Sequence, residues 1–144
     1  MLGVVLVSNG IQFDDYSVQV KTALKDTALG FLEEVGGEVE AQTKRNCAVV
    51  TGKTKGSFQH SVDEGSLTVA IGSDYENAIW EEFGTGIYAL NGDGRKDVPW
   101  TYYDEQGEKH RTVGKHPKRM LWNAFQSLQA KIQQIAEERF GGLG

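Results

Sequence analysis

The stretch TGKTKG at positions 51 to 56 contains residue types that bind phosphate. It matches the end of the nucleotide-binding pattern G-x-x-x-x-G-K-[ST], in which the backbone N–H groups of a glycine-rich loop hold the phosphates. The first glycine of that pattern would stand at position 47, which is occupied by Cys47. The stretch also follows a helical pattern, whereas a phosphate loop follows a strand and opens a helix. The residues therefore argue against nucleotide binding.

Two adjacent carboxylates and a serine–histidine group are the residues that could support catalysis. Glu81 and Glu82 lie in a helical pattern, where neighbouring side chains point about 100° apart, so they cannot flank one reacting bond. We expect one of them to face solvent and the other to cap or pair locally. Ser57 and Ser61, beside His60, lack the G-x-S-x-G turn of a serine nucleophile and an evident acid to orient the base. The sequence predicts no catalytic group.

Metal binding would need the three histidines, with help from the acidic loop NGDGRKD. That loop places Arg95 where a calcium loop supplies an oxygen ligand, and no bidentate glutamate closes it. Histidines spread over a hairpin and a loop are more often surface residues. The sequence therefore predicts no bound metal and no other cofactor. The residues considered as possible metal ligands are His60, His110, His116, Asp93 and Asp97.

Composition narrows the class of protein. With 15 basic and 20 acidic residues, the 144-residue chain has a net charge of -5, which argues against a general nucleic-acid binder but leaves room for a local basic patch. Cys47 is the only cysteine, which excludes an internal disulfide and a cysteine-rich zinc site. No apolar run approaches the length that spans a bilayer. We expect a protein without membrane contact that stays in a reducing cytoplasm, unless it leaves in a larger particle.

Two stretches have the apolar periodicity of long amphipathic helices. Residues 15–48 carry apolar side chains at spacings of three and four, and Gly36-Gly37 interrupts the run, which predicts a kink or a close helix crossing there. Residues 118–140 form the second helix, with leucine, isoleucine and phenylalanine on one face. Both helices need a second layer to cover their apolar faces.

The residues between the helices predict strands and one short helix. Residues 56–73 alternate around turn residues 63–66, which predicts a β-hairpin. The N-terminal residues MLGVVLVSNG alternate like one short strand. A short helix follows the hairpin, with Asp74 expected to cap its start and Gly84 expected to end it in the left-handed conformation.

A long, glycine-punctuated connection at residues 86–116 precedes the last helix. Its stretch VPWTYYDEQGEKHRTVG predicts a second hairpin that turns at residues 104–107. The expected fold is a single α+β domain over residues 1–144, with two long amphipathic helices on one face of a small antiparallel β-sheet and the 86–116 hairpin loop projecting from it.

Aromatic residues divide into two predicted groups. Trp80 and Trp122 lie in helical patterns and are expected to pack in the core. The aromatic residues of the long connection lie among charged residues, and aromatics with arginine are enriched at the centres of protein interfaces. The predicted subunit-contact residues are Trp100, Tyr102, Tyr103 and Arg111.

Three separated motifs make the chain resemble the tail-completion, or head–tail joining, proteins of tailed bacteriophages. The family pattern has a long helix, a T-G-x-[LT]-x-x-S turn into a strand, a helix end of the form Y-A-x-x-[VW]-E-F-G-T, and an entry P-x-P-F-[LM]-x-x-A into the final helix. Arg119 and Met120 replace the usual Pro-Phe, and Ala48 to Val50 stand where a proline is common. The matching residues include Thr51, Gly52, Ser57, Tyr75, Trp80, Glu82, Phe83, Gly84, Thr85, Pro117 and Ala124.

The resemblance implies a structural role in the virion. Family members are thought to form rings, most commonly sixfold, at the neck or the upper end of the tail, where they join the tail tube to the head. The implied partners are further copies of the chain, other neck proteins, tail tube proteins and passing phage DNA, which an acidic lumen would not bind. Phe83 would plug the core, Gly84 would reverse the chain, and the Thr85 hydroxyl would bond to exposed backbone at the helix end.

Two alternatives remain open at this point. One is an enzyme that binds a small molecule or a metal through the 86–116 loop. The other is a bacterial protein domesticated from a prophage, which would share the fold and differ in its context. The resemblance favours a virion component that is made in the host cytoplasm and is not an enzyme.

Overall fold

A computed structural model describes residues 2–7, 18–48 and 52–142, and in those ranges it confirms the expected α+β fold. Thr51 and the first three residues of the predicted long helix lie outside the described residues. None of the helices described combines the length and the apolar character needed to cross a membrane. The elements in chain order are β1 (Leu2–Val7), α1 (Val18–Asn46), α2 (Lys53–Ser57), β2 (Gln59–Asp63), β3 (Thr68–Ser73), α3 (Glu76–Phe83), β4 (Trp100–Tyr103), β5 (Lys109–Thr112), α4 (Met120–Ser127) and α5 (Gln129–Gly141).

A three-stranded antiparallel sheet has the order β1-β3-β2, with β3 in the centre. The predicted N-terminal strand and the predicted hairpin are both present. The turn between β2 and β3 forms because the Asp63 carboxylate accepts hydrogen bonds from the Gly65 N–H at 3.0 Å and the Ser66 hydroxyl at 2.8 Å. An aspartate that bonds the backbone two residues ahead is a common way to set a tight turn.

The core lies where α1 and α4 cover one face of the sheet. Helix α1 packs on β2 and β3, while α4 packs on α1 and β1, and α5 continues along α1. Alternate residues of β3 point into this layer, as the period of a strand requires. The fully buried side chains include Leu32, Val35, Val39, Phe58, Val69, Ile71, Met120, Leu121 and Ala124.

Helix α1 runs without interruption through Gly36-Gly37, and the close approach predicted there is to the sheet rather than to another helix. A Cβ atom on Gly36 would lie 2.7 Å from both His60 Cδ2 and Val69 Cγ2. A Cβ atom on Gly37 would have His60 Cε1 as its nearest neighbour, at 4.0 Å. Gly36 therefore lets α1 sit directly on β2 and β3, whereas Gly37 has no such role.

The final helix differs from the prediction because it is divided at Leu128 into α4 and α5. The Leu128 N–H bonds to both the Ala124 and Phe125 carbonyls, at 3.2 and 3.3 Å, and its backbone departs from helical geometry. The buried Leu128 side chain fixes this bend against the core. Neither glycine nor proline marks the position, so the sequence pattern alone predicted one continuous helix.

Two local predictions about helix ends need correction. The turn that follows Gly52 forms a short helix, α2, before the chain enters β2. Asp74 is exposed and does not cap α3. The Ser73 hydroxyl accepts the Tyr75 N–H at 3.0 Å instead, because the buried Ser73 lies beneath the start of the helix.

The second hairpin, β4–β5, forms where it was predicted. The Asp104 carboxylate sets its turn by accepting the Gln106 and Glu108 N–H groups at 3.0 and 2.8 Å. The tip does not stand free of the domain: the Glu105 carboxylate accepts hydrogen bonds from Lys53 Nζ at 2.7 Å and from the Tyr75 hydroxyl at 3.2 Å. The tip of the hairpin therefore contacts α2 and the residue that precedes α3.

The two adjacent glycines of α1 give a matched pair of substitutions. We expect Gly37→Ala to raise the free energy of unfolding by about 0.5–1 kcal/mol, since alanine favours a helix and meets open space there. Gly36→Ala should lower it by about 1–3 kcal/mol, because the new methyl group must displace packed side chains. Urea denaturation of both variants checks this, and stabilisation by Gly36→Ala would contradict the close packing of α1 on the sheet.

Candidate functional site

The second and third motifs meet in space at the end of α3. We call this contact, between residues 81–86 at the end of α3 and residues 113–122, the joint. Its parts are separated in the sequence by the whole β4–β5 hairpin. The joint therefore decides how the hairpin leaves the domain and how α4 begins.

Glu82 is the centre of the joint. Its side chain is 2% exposed, and its two carboxylate oxygens accept the N–H groups of Leu121 at 2.9 Å and Trp122 at 3.1 Å. These are unsatisfied donors in the first turn of α4, where a negative charge is also favoured by the helix dipole. One of the two adjacent glutamates was expected to cap locally, but Glu82 caps a helix about 40 residues away.

Glu81 has a different role from its neighbour. Its carbonyl accepts the Lys118 N–H at 2.6 Å, and its carboxylate lies 3.8 Å from Lys115 Nζ and 4.0 Å from Lys118 Nζ. Its side chain is only 13% exposed, so it does not face open solvent as one of the pair was expected to. Both glutamates therefore fasten α3 to the segment that leads into α4.

Arg119 places a positive charge beside the Glu82 carboxylate in the joint. It precedes α4 with φ +55° and ψ +41°, a left-handed conformation uncommon for a residue other than glycine. Its Nε lies 3.8 Å from the Glu82 carboxylate, and its guanidinium stacks over the rings of Phe83 and Trp122 at 5.7 and 5.3 Å. Its Nη1 atom is buried without a hydrogen-bond partner in the described part of the chain. The stacked rings offset this cost through cation–π attraction.

Gly84 and Thr85 reverse the chain after α3. Gly84 has φ +77° and ψ 172°, so the positive φ is confirmed but the residue is extended rather than left-handed helical. A Cβ atom there would lie 2.8 Å from the Lys115 carbonyl oxygen. Thr85 pairs with Lys115 twice: the Thr85 N–H donates to the Lys115 carbonyl, and the Thr85 hydroxyl accepts the Lys115 N–H, both at 2.9 Å. The hydroxyl thus bonds a distant strand-like segment and not the helix end.

The loop that follows is close-packed. Gly86 has φ +59°, and a Cβ atom there would overlap the Val113 carbonyl. The Ile87 N–H donates to that carbonyl at 3.1 Å, and the Leu90 N–H donates to the Phe83 carbonyl at 2.8 Å. The glycines of this region therefore permit backbone crossings that hold the base of the hairpin.

The first motif forms a polar chain that leads to α3. The Ser57 hydroxyl donates to the Thr54 carbonyl at 2.7 Å and accepts the Ser73 hydroxyl at 2.6 Å. Asn77 of α3 donates to the Thr54 hydroxyl at 3.2 Å. Ser57 is thus a structural group. Gly52, with φ +80°, precedes α2, while Thr51 is not among the described residues.

Three aromatic residues lie in places that the sequence did not indicate. Trp80 and Trp122, expected in the core, are 46% and 45% exposed. Phe83, expected to plug the core, is only partly buried and carries the Arg119 guanidinium on its ring. Small side chains take the buried positions instead: Ala78 and Ala124 are fully buried where α3 and α4 pack. The larger rings remain on the surface around the joint.

The predicted subunit-contact residues fall on two opposite faces of the hairpin. In its register Trp100 pairs with Thr112 and Tyr102 with His110, so both aromatics share one face. Tyr103 pairs with Lys109 on the other face, where Arg111 pairs with Thr101. No single flat partner could contact all four predicted residues.

The candidate catalytic and metal-binding residues do not come together. His60 bonds two glutamates, His116 stacks on Tyr88 at 3.7 Å, and His110 donates to Asp104 at 2.8 Å. The described residues do bring Asp104, Glu108 and His110 within 4.8 Å of one another. Asp104 already accepts hydrogen bonds from the turn backbone and from His110, so these contacts account for its position.

The single cysteine is a poor nucleophile. The Cys47 side chain is buried, and its thiol donates to the Thr43 carbonyl at 3.2 Å. Burial, reinforced by the nearby Glu81 carboxylate, raises the pKa of the Cys47 thiol to about 11. Because the thiolate is the reactive form, Cys47 stays inert near neutral pH.

His60 is held between two carboxylates of α1. Its Nε2 lies 2.7 Å from a Glu33 oxygen and its Nδ1 lies 3.2 Å from a Glu40 oxygen, an arrangement suited to the doubly protonated ring. Partial burial alone would lower the pKa of His60, but the hydrogen bonds to Glu33 and Glu40 outweigh burial and raise that pKa above 6.5. Glu40 also pairs with Lys44 at 3.5 Å.

Two important residues are absent from the sequence-predicted set. Arg119 had a signal, since it stands directly before a helix where the resembling family has proline. Glu105 had none, because its contacts with Lys53 and Tyr75 join parts of the chain that no local pattern connects.

Comparisons of the chain with protein-family models, curated proteins and solved structures find no match.

The two adjacent glutamates allow a direct test of the joint. We expect Glu82→Gln to lower the free energy of unfolding by about 1.5–3 kcal/mol, because a charged acceptor for two buried N–H groups is lost beside Arg119. Glu81→Gln should cost less than about 1 kcal/mol, since its ion pairs are long and the lysines that form them are nearly half exposed. Chemical denaturation of both variants provides the measurement. Equal losses would mean that the cap is not the main stabilising contact.

His60 should make stability depend on pH in a defined direction. Its pKa is higher in the folded chain than in the unfolded one, so its contribution is complete below about pH 6.5 and is lost as pH rises through the folded-state value. The difference in unfolding free energy between the native chain and His60→Gln should therefore be larger at about pH 5.5 than at about pH 9. Urea titrations at both pH values measure it, with His116→Gln as the control. A difference that grows with pH would refute the assignment.

Proposed function

We propose that this chain is a virion structural protein of a tailed bacteriophage, placed at the head–tail junction or the upper end of the tail, where it assembles as a ring that joins the tail tube to the neck. The observation that carries the proposal is the joint. Two of the three motifs that resemble the tail-completion family, far apart in sequence, meet there through Glu82 and Thr85. The first motif supports α3 through Ser57 and Thr54.

A joining protein needs surfaces for more than one partner, and the chain has exposed large side chains in two regions. Trp80 and Trp122 lie around the joint, and Tyr103 lies on the hairpin with 66% of its surface exposed. Exposed tryptophan and tyrosine are typical of sites where proteins bind one another. This supports an assembly role more than a solitary one.

A ring of identical copies requires two different surfaces that meet head to tail and close on rotation. We favour six copies, with other neck proteins and tail tube proteins as the neighbours above and below. The net charge of -5 suits a channel through which phage DNA passes without sequence-specific binding. The protein would be made in the host cytoplasm and carried in the virion.

A second candidate function is metal binding by the hairpin, and one observation supports it. Asp104, Glu108 and His110 offer ligand atoms within 4.8 Å of one another. A metal-binding enzyme that uses the 86–116 loop would hold its metal at that site. Metal analysis of the purified chain, followed by a thermal-shift series with divalent cations, separates the two functions. A bound metal with a large stabilisation would favour this candidate over the structural role.

The purified chain should form closed rings, alone or together with neck and tail tube proteins. Analytical ultracentrifugation and negative-stain images test this. Residues 86–116 should also become more protected from hydrogen exchange on assembly, because a partner would shield their exposed backbone from solvent. A chain that stays monomeric beside its partners, or that turns over a substrate, would contradict the proposed function.

Trp80 offers a test of the exposed aromatic surface. Trp80→Ala should change the free energy of unfolding by less than about 1 kcal/mol, because nearly half of the side chain is already exposed. It should nevertheless weaken capture by neck or tail tube proteins, as expected for an aromatic contact residue. Gln59→Ala, an exposed substitution on β2, is the control. Unchanged capture by Trp80→Ala would remove this surface from the interface.

A further inference from the structure

One face of the β4–β5 hairpin is basic and unoccupied. We call the surface formed by Thr101, Tyr103, Lys109 and Arg111 the basic face. Cross-strand pairing places these four residues on the same side, and all four are exposed. In the described part of the chain, Lys109 and Arg111 form no ion pair. The basic face thus combines two uncompensated cations with an exposed aromatic ring.

The opposite face of the hairpin is engaged within the chain. Tyr102 stacks on His110 with ring centroids 5.2 Å apart, and the Arg95 guanidinium lies 5.3 Å from the centre of the Trp100 ring. These contacts leave the basic face as the side that is free to meet another molecule.

The hairpin is held at both ends, so the basic face has a fixed orientation. Its base is fastened through the paired backbones of Thr85 and Lys115, and its tip through Glu105, which bonds Lys53 and Tyr75. A surface that is already ordered loses less entropy when it binds, which favours affinity.

The distribution of charge along the chain indicates what the basic face binds. The basic face holds two cations, Lys109 and Arg111, and no acidic residue, a net charge of +2. All other residues together hold thirteen basic and twenty acidic residues, a net charge of -7. The basic face is therefore complementary to the rest of another copy of the same chain, and this complementarity favours a second copy over other acidic partners.

Helix α5 carries the acidic surface that suits this contact best. Its two cations are neutralised by α1: Lys131 lies 3.0 Å from a Glu38 oxygen, and Arg139 lies 2.6 Å from a Glu34 oxygen. Glu137 and Glu138 remain exposed, and among the described residues their side chains bond only to glutamine side chains of the same helix. We call these two glutamates the acidic pair.

The position of the acidic pair does not favour the stability of the helix. Glu137 and Glu138 lie near the C-terminal end of α5, where the helix dipole disfavours negative charge by several tenths of a kcal/mol. A role outside the isolated chain accounts for two uncompensated carboxylates at this end. Binding the basic face of a neighbour would remove the unfavourable charge.

The basic face and the acidic pair lie towards opposite ends of α1. Asn46, the last residue of α1, donates to the Met120 carbonyl at the start of α4, on the side of the joint. The end of α5 contacts α1 twelve residues earlier, through Arg139 and Glu34. Twelve residues of helix span about 18 Å. Contact between the two surfaces is therefore head to tail rather than within one chain.

We propose that the basic face of one copy docks on the acidic pair of the next copy, which gives a heterologous contact that can repeat around an axis. The contact deepens the proposed ring and rests on the proposed function for its biological use. Lys109 and Arg111 face the two carboxylates, and Tyr103 covers the contact. Association should weaken as salt concentration rises, because exposed charges supply the attraction.

Charge reversal tests the contact. The double variant Lys109→Glu/Arg111→Glu and the double variant Glu137→Lys/Glu138→Lys should each weaken self-association more than about tenfold, because like charges then oppose each other. The chain that carries all four changes should return to within about threefold of the native affinity. Sedimentation velocity at low and high salt measures the dissociation constants. Circular dichroism confirms that each variant is folded.

Asp74→Lys/Glu76→Lys is the matched control. Asp74 and Glu76 are exposed and form no ion pair in the described ranges. Their replacement by lysine changes the net charge by the same amount as Glu137→Lys/Glu138→Lys. This control should associate like the native chain. An equal loss in the control, or no recovery in the fourfold variant, would overturn the proposed contact.

Disulfide formation between copies gives a second measurement that does not depend on reversed charges. A chain with Tyr103→Cys mixed with a chain with Glu138→Cys should form a mixed disulfide-linked dimer under mild oxidation. Cys47 does not compete, because it is buried and its pKa is about 11. A pair with Asp74→Cys in place of Glu138→Cys should link far less. Failure of the first pair to link would also overturn the contact.

The outcomes distinguish this contact from the proposed function. Rings that persist in all charge-reversed variants would refute the contact and leave the structural role intact. A native chain that neither self-associates nor binds neck and tail tube proteins would refute both.

Discussion

A buried carboxylate organises this domain. Glu82 accepts two backbone N–H groups at the start of α4, and this contact fixes α3 and α4 together although the β4–β5 hairpin separates them in sequence. Because an unpaired buried donor or charge is costly, the two helices cannot shift independently. The hairpin is anchored beside this contact through Thr85 and Lys115, so its orientation follows from the same interaction. The relative positions of α3, α4 and the hairpin thus depend on one side chain.

Glycine has a consistent role around this contact. Gly36 lets α1 meet the sheet, and Gly86 lets the loop backbone cross the Val113 carbonyl. In both places the missing side chain permits close packing rather than motion. Bulky aromatic residues occupy the surface instead, where Trp80 and Trp122 are nearly half exposed. The core is therefore built mainly of aliphatic side chains around the buried Phe58, while both tryptophan rings remain at the surface.

Local patterns predicted much of the fold but little of the site. Alternation and turn residues were sufficient for both hairpins, because the Asp63 and Asp104 carboxylates build their turns within a few residues. The break at Leu128 and the cap from Glu82 depend on tertiary contacts, which no local spacing encodes. Apolar periodicity also placed Trp80 in the core, since a sequence pattern cannot tell a buried apolar helix face from an exposed one. The motifs contain Glu82 and Thr85, but only the structure shows that these residues contact residues 115–122.

In the virion role proposed above, the buried thiol would have a consequence for the finished particle. Cys47 is the only sulfhydryl in this sequence, and its thiolate is suppressed by burial and by a neighbouring carboxylate. A virion that leaves the reducing interior of a cell for an oxygenated medium would therefore gain no covalent crosslinks through this chain. Its attachment to neighbours would remain reversible, so that ionic strength and detergent, rather than reductants, would govern disassembly.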